Sequence, residues 1–383
     1  MTMHKILINA LGTESSGGIS ILRKTLQDVS LDEENQYHIF IYTGKYIDSL
    51  LIEKNYHNNL HFRIMKNYGL IYRVFFENIF MPFYINKNNI SLIYNLTGTS
   101  QFFSGIPSIV KIQNLLFFTK GLDMLYFKRN KRLLWLKHIY YKRIVLSLML
   151  RVAKNIEIQS IHVKKELSNF VDLNNKNFFL KNDFSISNDD FSSPKKYDFK
   201  SEIIFLYIVG PHFNMPHKNI DDFIRTMVNL LDSGLNFHIK ITLTRQQLEN
   251  SDFWDKKLNK VTSFLGYIDN KKAMQDLFAD NVVLISTSVI ETIGLHVIEA
   301  VLNGILCIVP NESYSAKVYG SRVLTYNLFN SESLMEAIIN LKSYNNIKCQ
   351  GLIIDNQNYI RQNENEKYQN SLSIIKDVLN KGK

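Results

Sequence analysis

The chain has 383 residues and a mass of 44.7 kDa, of which 45% are hydrophobic and 21% charged. That leaves room for two or three domains, with enough apolar side chains for two cores. The 25 Phe and 20 Tyr exclude a chain that stays solvated, and 16 Gly with 6 Pro exclude collagen-like and linker-like classes. A formal net charge of +10 asks for an anionic partner: nucleotide phosphates, nucleic acid or an acidic membrane surface. The alternative source of that charge is compositional bias toward Asn, Ile, Lys, Phe and Tyr, as an AT-rich coding sequence produces.

Residues 6–11 form a short apolar run with little basic flank and no small-residue cleavage site, so they read as a first strand and not a signal peptide. Runs 5–11, 37–43, 91–96, 108–113 and 155–160 read as strands, several apolar on both faces. Segments 18–29, 70–84, 131–151 and 162–170 have helical character. Strand alternating with helix means a doubly wound α/β sheet. A polar stretch over 172–200 breaks the pattern and reads as the end of one domain plus a linker. The alternation restarts with strands at 203–209, 237–243, 282–286 and 306–310, and helices at 219–232, 271–279, 295–303 and 331–341. A last helix is expected over 365–380, after a polar segment. The expected domains are 1–190, with 365–383 packing back on it, and 200–360. In such sheets ligands bind beyond the carboxyl ends of the strands, so the expected site is a cleft between two doubly wound domains.

Cys307 and Cys349 are too few for a disulfide framework or a zinc site, and Cys307, in an apolar run, reads as a core residue. This fits a reducing cytoplasm. No stretch approaches the roughly 18 apolar residues of a transmembrane helix.

The most informative segment is 282–310, VVLISTSVIETIGLHVIEAVLNGILCIVP. A strand leads to a turn with Ser288 and Glu291, and Gly294-Leu295 opens a helix carrying Glu299. Leu295, Val297, Ile298, Ala300, Val301 and Leu302 surround Glu299 in sequence, which predicts a buried carboxylate that needs a partner. A diol would satisfy it, while the exposed amides of the helix N-terminus suit a diphosphate. The plain alternative is an ordinary β-α-β crossover whose glutamates face solvent.

Ser288, Glu291, Gly294, Leu295, Glu299, Ala300 and Gly304 together resemble the paired-glutamate motif of retaining GT-B glycosyltransferases, the family 4 group. The resemblance implies a GT-B fold, two Rossmann-like domains facing across a cleft, and retaining transfer of a sugar from a UDP- or GDP-linked donor. It makes Lys218, in PHKN (216–219), the clamp on the donor diphosphate, with His217 beside it. Glu299 would hold the ribose, Glu291 the donor sugar, and Asn114, after strand 108–112, would face that sugar. The family often has an Arg directly after the strand glycine, where this chain has Gly210-Pro211-His212. Softer matches are Gly266-Tyr267 with the run 271–288, Gln113, and Ser160. Gly12 and Gly17-Gly18 follow the first strand and would let phosphate or acceptor approach the backbone. No metal site is expected, since Asn188-Asp189-Asp190 lies in the linker, and no cofactor beyond the nucleotide-sugar.

Residues 125–154 contain no acid and interleave Lys128, Arg129, Lys131, Arg132, Lys137, Lys142, Arg143, Arg151 and Lys154 with Leu, Ile, Trp and Tyr. Such a stretch suits the headgroup plane of an anionic membrane, and aromatic residues in 72–85 would add apolar area. A solvated helix packed on the sheet is the alternative. Nucleic acid is not an expected partner, because no zinc finger, RRM or helix-turn-helix pattern is visible. The implied acceptor is a glycan on a polyprenyl diphosphate. The implied setting is bacterial surface-polysaccharide assembly on the inner face of the plasma membrane. A sugar-nucleotide epimerase of the same fold and a non-catalytic GT-B scaffold are the alternatives.

Overall fold

In a computed structural model, the structure describes residues 3–13, 16–43, 59–181, 183, 186, 188–210, 212–268, 271–367 and 369–381. The chain divides into two compact units. The first comprises Met1–Phe118, Leu133–Ser185 and Lys367–Lys383, and the second Thr119–Arg132 and Ile186–Glu366.

The first unit holds a parallel sheet of β1 (Lys5–Asn9), β2 (Gln36–Tyr42), β3 (Leu60–Met65), β4 (Leu92–Asn95), β5 (Ser108–Ile112), β6 (Asn155–Ile158) and β7 (Asn177–Leu180). Their order is β3-β2-β1-β4-β5-β6-β7. The second holds β8 (Ile203–Tyr207), β9 (Phe237–Ile241), β10 (Thr262–Phe264), β11 (Val282–Ile285), β12 (Leu306–Pro310) and β13 (Leu324–Tyr326), in the order β10-β9-β8-β11-β12-β13. Every residue of β4, β6, β11 and β12 is buried, as strands covered by helices on both faces require. The strand order reverses between β1 and β4 in one sheet and between β8 and β11 in the other. Those two points are where such sheets open a crevice.

The helices that matter below are α1 (Ser16–Ser30), α2 (Leu70–Phe75), α3 (Lys120–Lys128), α4 (Tyr141–Val152), α5 (Ile220–Asp232), α6 (Leu295–Leu302), α7 (Ser313–Tyr319), α8 (Asn346–Lys367) and α9 (Ser371–Lys381). Among the described residues, no helix is long and apolar enough to cross a membrane.

Four strands escape the sequence pattern. β3 is mostly exposed at a sheet edge, β7 is an edge strand inside the Asn-rich stretch read as linker, and β10 and β13 have three residues each. The expected helix over 131–151 is interrupted by a π-helical turn, Leu136–Tyr140. The segment before the last helix is itself helical. In α8 the buried face carries Cys349, Ile353, Asn356, Gln357 and Ile360. Gln357 donates to the carbonyls of Ser192 and Val301, both at 3.0 Å, so a glutamine occupies a core position and interrupts the apolar stripe. α9 places Ile374, Ile375 and Val378 in the core formed by β1, β2 and β4, and its Ser371 amide donates to Asp28 of α1 at 2.9 Å.

Tyr197 ties the second sheet together. Its buried hydroxyl donates to the Val282 carbonyl at 2.8 Å and accepts from the Leu306 amide at 2.7 Å. Tyr197→Phe strands both groups and should cost about 1–3 kcal/mol, read as a lower urea midpoint. An unchanged midpoint would show that β11 and β12 do not rely on this bridge.

Candidate functional site

The site in the second unit is built on the carboxyl ends of β8 and β11. After β8 the chain makes a 3-10 turn, Pro216–Lys218, and Asn219 takes a left-handed conformation (φ 47°) before α5. After β11 it runs through 286–294 into α6. Hydrogen bonds to two main-chain carbonyls join the two loops. The Val289 amide donates to the His217 carbonyl at 2.8 Å, and the Thr287 hydroxyl donates to the Lys218 carbonyl at 2.8 Å. The buried Tyr207 hydroxyl bonds Thr287 Oγ1 at 2.6 Å.

This stitching brings Lys218 Nζ to 2.9 Å from Glu291 Oε1, with side-chain exposures of 26% and 16%. Both charges are therefore still reachable from solvent. Burial alone would raise the Glu291 carboxyl, but Lys218, His296 and a hydrogen bond from Ser288 outweigh it and hold it at about 2. His296, on the first turn of α6, is brought to about 4 by burial, against the pull of Glu291 and with the repulsion of Lys218. Burial and the neighbouring Lys218 bring His217 to about 4 as well. Both imidazoles are neutral at pH 7, so Lys218 is the cation of this turn.

Gly294 opens α6 with φ 60°, and a Cβ there would stand 2.0 Å from the Tyr319 hydroxyl and 3.4 Å from Glu291 Cγ. Both the backbone angle and the packing of α7 therefore require glycine. Tyr314, also on α7, donates to the Ser288 carbonyl. Ser288 is itself buried, and it bonds Glu291, so it holds the turn from within.

One expectation is corrected here. Glu299 is exposed. α6 buries Val297, Ile298, Ala300, Val301 and Leu302, and Leu295 and Glu299, four residues apart, share the remaining outward face. The desolvation argument for Glu299 therefore fails, although the carboxylate stays one turn along the helix from the Gly294-Leu295 amides.

Other expected site residues lie in the first unit. Asn114 is exposed, and its Oδ1 accepts from the Leu116 amide at 2.8 Å. Gly17 and Gly18 fall inside the first turn of α1, not in the loop before it. In the second unit, His212 is exposed and Pro211 lies outside the described residues. The basic stretch is divided between the units. Arg129 pairs with Asp221 at 2.8 Å, Lys128 lies over the Phe329 ring, and Arg143 is buried. Lys131, Arg132, Lys137, Arg151 and Lys154 remain exposed.

Sequence reasoning missed His296, Tyr207, Thr287 and Tyr319. His296 stands inside the quoted motif, two residues after Gly294, and could have been found there. Tyr319 lies 25 residues after Gly294, and no local spacing points to it.

No protein-family profile matches the chain, and no curated protein matches it. Solved structures do. WaaG, a glycosyltransferase involved in lipopolysaccharide biosynthesis, has a TM-score of 0.63 at 10% identity over 98% of each chain. A point mutant of S. aureus TarM, solved with fondaparinux, alpha-GlcNAc-glycerol and UDP, has a TM-score of 0.61 at 13% identity over 99% of this chain and 100% of that one. A structure assigned as UDP-N-acetylglucosamine 2-epimerase from Listeria monocytogenes has a TM-score of 0.51 at 10% identity, over 98% and 95%. The fold is thus of GT-B type, and the fold alone is compatible with either activity.

The neutral histidines make a pH prediction. Their folded values near 4 lie below the 6.5 of an unfolded imidazole, so between pH 6.5 and 4 the unfolded chain binds more protons and stability falls on acidification. Each histidine should contribute roughly 1–3 kcal/mol to that fall. His296→Gln should flatten the profile of urea midpoint against pH; an unaltered slope would show that His296 is not held neutral.

Proposed function

We propose that the chain is a retaining glycosyltransferase that moves a sugar from a UDP- or GDP-linked donor to a lipid-linked glycan. The observation that carries this reading is the Lys218–Glu291 pair at the β8/β11 switch point, beside the Gly294 helix start. A fixed ammonium and free helix amides suit a departing diphosphate. In this reading Lys218 and the Gly294-Leu295 amides hold the diphosphate and stabilise its charge as the glycosidic bond breaks. Glu291 receives donor-sugar hydroxyls, Glu299 receives the ribose diol, and Ser288 positions Glu291. The leaving phosphate takes the acceptor proton on the same face, so configuration is retained. Asn114 would approach the donor sugar, and Gly17-Gly18 the acceptor or phosphate. No divalent ion is required, so EDTA should leave turnover unchanged.

Glycosyltransferases of the same fold support this reading, among them WaaG and the lipopolysaccharide outer core galactosyltransferase WaaB. Epimerase activity is the second reading, favoured by the shared fold with the Listeria structure. A non-catalytic scaffold is the third, favoured by Gly210 to His212, where the second cation of the clamp is missing. Isothermal titration with UDP and GDP separates these. The enzyme readings predict binding of one of them, weakened about 10- to 100-fold by Lys218→Ala and measurably by Glu299→Ala. No nucleotide binding would favour the scaffold, and conversion of donor without acceptor would favour the epimerase.

We assign the enzyme to the cytoplasmic face of an anionic membrane, because Lys137, Arg151 and Lys154 stand among exposed Leu133, Leu136, Tyr141 and Leu148. Each such cation is worth about 1 kcal/mol at an anionic surface. The double reversal Lys137→Glu, Arg151→Glu should reduce cosedimentation with phosphatidylglycerol vesicles at least tenfold. Equal cosedimentation would remove the membrane assignment.

A further inference from the structure

One buried hydroxyl beside the Lys218–Glu291 turn has no part in the roles assigned so far. Tyr319 ends α7 and is 1% exposed, and among the described residues its hydroxyl has no hydrogen-bond partner. A phenol O–H taken out of water without an acceptor is costly, so its retention at this turn asks for an acceptor that comes to it.

The ring is held in place from two sides. The Tyr314 ring meets it edge-on, 6.1 Å between centres, and Tyr314 itself donates to the Ser288 carbonyl. Behind it, Gly320 has φ 110°, and a Cβ there would stand 2.5 Å from Asn356 Oδ1 and 3.1 Å from Asn356 Cα. α8 therefore packs directly on the end of α7, and the Tyr359 hydroxyl adds a bond to the Lys317 carbonyl at 3.1 Å. On the other side the Tyr319 hydroxyl faces the start of α6. The point where a Gly294 Cβ would stand is 2.0 Å from the Tyr319 oxygen and 3.4 Å from Glu291 Cγ. Burial holds the phenol well above its ordinary range, so it keeps its proton and offers it to an anion.

Glu291 is the anion nearest to hand. Its Oε1 accepts from Lys218 Nζ at 2.9 Å. That bond cannot stay as it is when a diphosphate arrives. The ammonium that meets the phosphates is the one that neutralises Glu291, and a second anion beside the carboxylate increases its need for donors. Ser288 supplies one. Both flanking histidines, His217 and His296, are neutral at pH 7. The Tyr319 hydroxyl is the donor not yet engaged.

We propose that Tyr319 is a positioning residue of the donor site: as a diphosphate draws Lys218 off Glu291, the carboxylate turns to the Tyr319 hydroxyl and is held there. No proton is transferred, and one charge-assisted hydrogen bond replaces another. Lys218 is thereby released to the phosphates while Glu291 stays ionised and fixed in direction. The inference rests on the nucleotide-diphosphate reading of this turn and adds to it an exchange of partners on binding.

The test is isothermal titration of the full chain with UDP and GDP in a double-mutant cycle of Tyr319→Phe and Glu291→Ala, with a urea midpoint for each protein. Tyr319→Phe should weaken the nucleotide at least fivefold, and in the Glu291→Ala background it should change affinity less than twofold. Without nucleotide, Tyr319→Phe should not lower the urea midpoint, since the hydroxyl has no bond to lose. With carbon-13 at tyrosine Cζ, the resonance that disappears in Tyr319→Phe should shift when nucleotide is added to wild type and stay in place in Glu291→Ala. Equal weakening by Tyr319→Phe in both backgrounds would make the residue a packing group and overturn the proposal, as would a lowered midpoint without nucleotide. Nucleotide binding that depends on Lys218 and ignores Tyr319→Phe would overturn the exchange and leave the donor reading standing. A wild-type chain that binds neither UDP nor GDP would remove the donor reading, and the exchange with it.

Discussion

A lysine ammonium 2.9 Å from a glutamate carboxylate, both partly desolvated, is the interaction on which the second unit's site depends. Such a pair is not a source of stability, because removing the two charges from water costs about what their attraction returns. It persists because the loops that carry it are tied by main-chain and hydroxyl bonds through Val289, Thr287 and Tyr207. What the arrangement secures is position. The Lys218 main chain is held against the turn that carries Glu291, and Glu291 stays ionised far below neutral pH.

The parallel sheet explains why the pair forms where it does. Where strand order reverses, a crevice opens outside the carboxyl ends of the strands. In the second sheet this point carries Lys218 and Glu291. In the first it carries Arg73 and Glu77, again a cation and a carboxylate with a glycine kept small beside them. Each unit therefore holds a cation paired with a carboxylate beyond the carboxyl ends of its strands.

Much of the second unit was legible because its signals are local. The motif from Ser288 to Gly304 predicts the β11-turn-α6-β12 order, and the structure has it. Lys218 follows β8 closely enough to be placed by sequence alone. Glu299 shows where local reasoning fails. Its neighbours are apolar, but helix rotation puts it with Leu295 on the outward face, and burial depends on what packs against each face. Gln357 shows the reverse, a polar residue on a buried face whose side-chain amide donates to the carbonyls of Ser192, Val301 and Leu302. The Arg73–Glu77 pair was visible in principle, as opposite charges four residues apart within an aromatic helix. Its partners Asn9, Asn95 and Gly12 are remote in sequence, and only the strand order brings them together.

The central claim, that the Lys218–Glu291 turn receives the diphosphate of a nucleotide, is tested most directly by phosphorus NMR of UDP titrated with the protein. The account predicts that the β-phosphate resonance shifts and broadens with wild type and that with Lys218→Ala, still folded by circular dichroism, the change needs at least tenfold more protein. Equal shifts with both proteins, or none with either UDP or GDP, would contradict it.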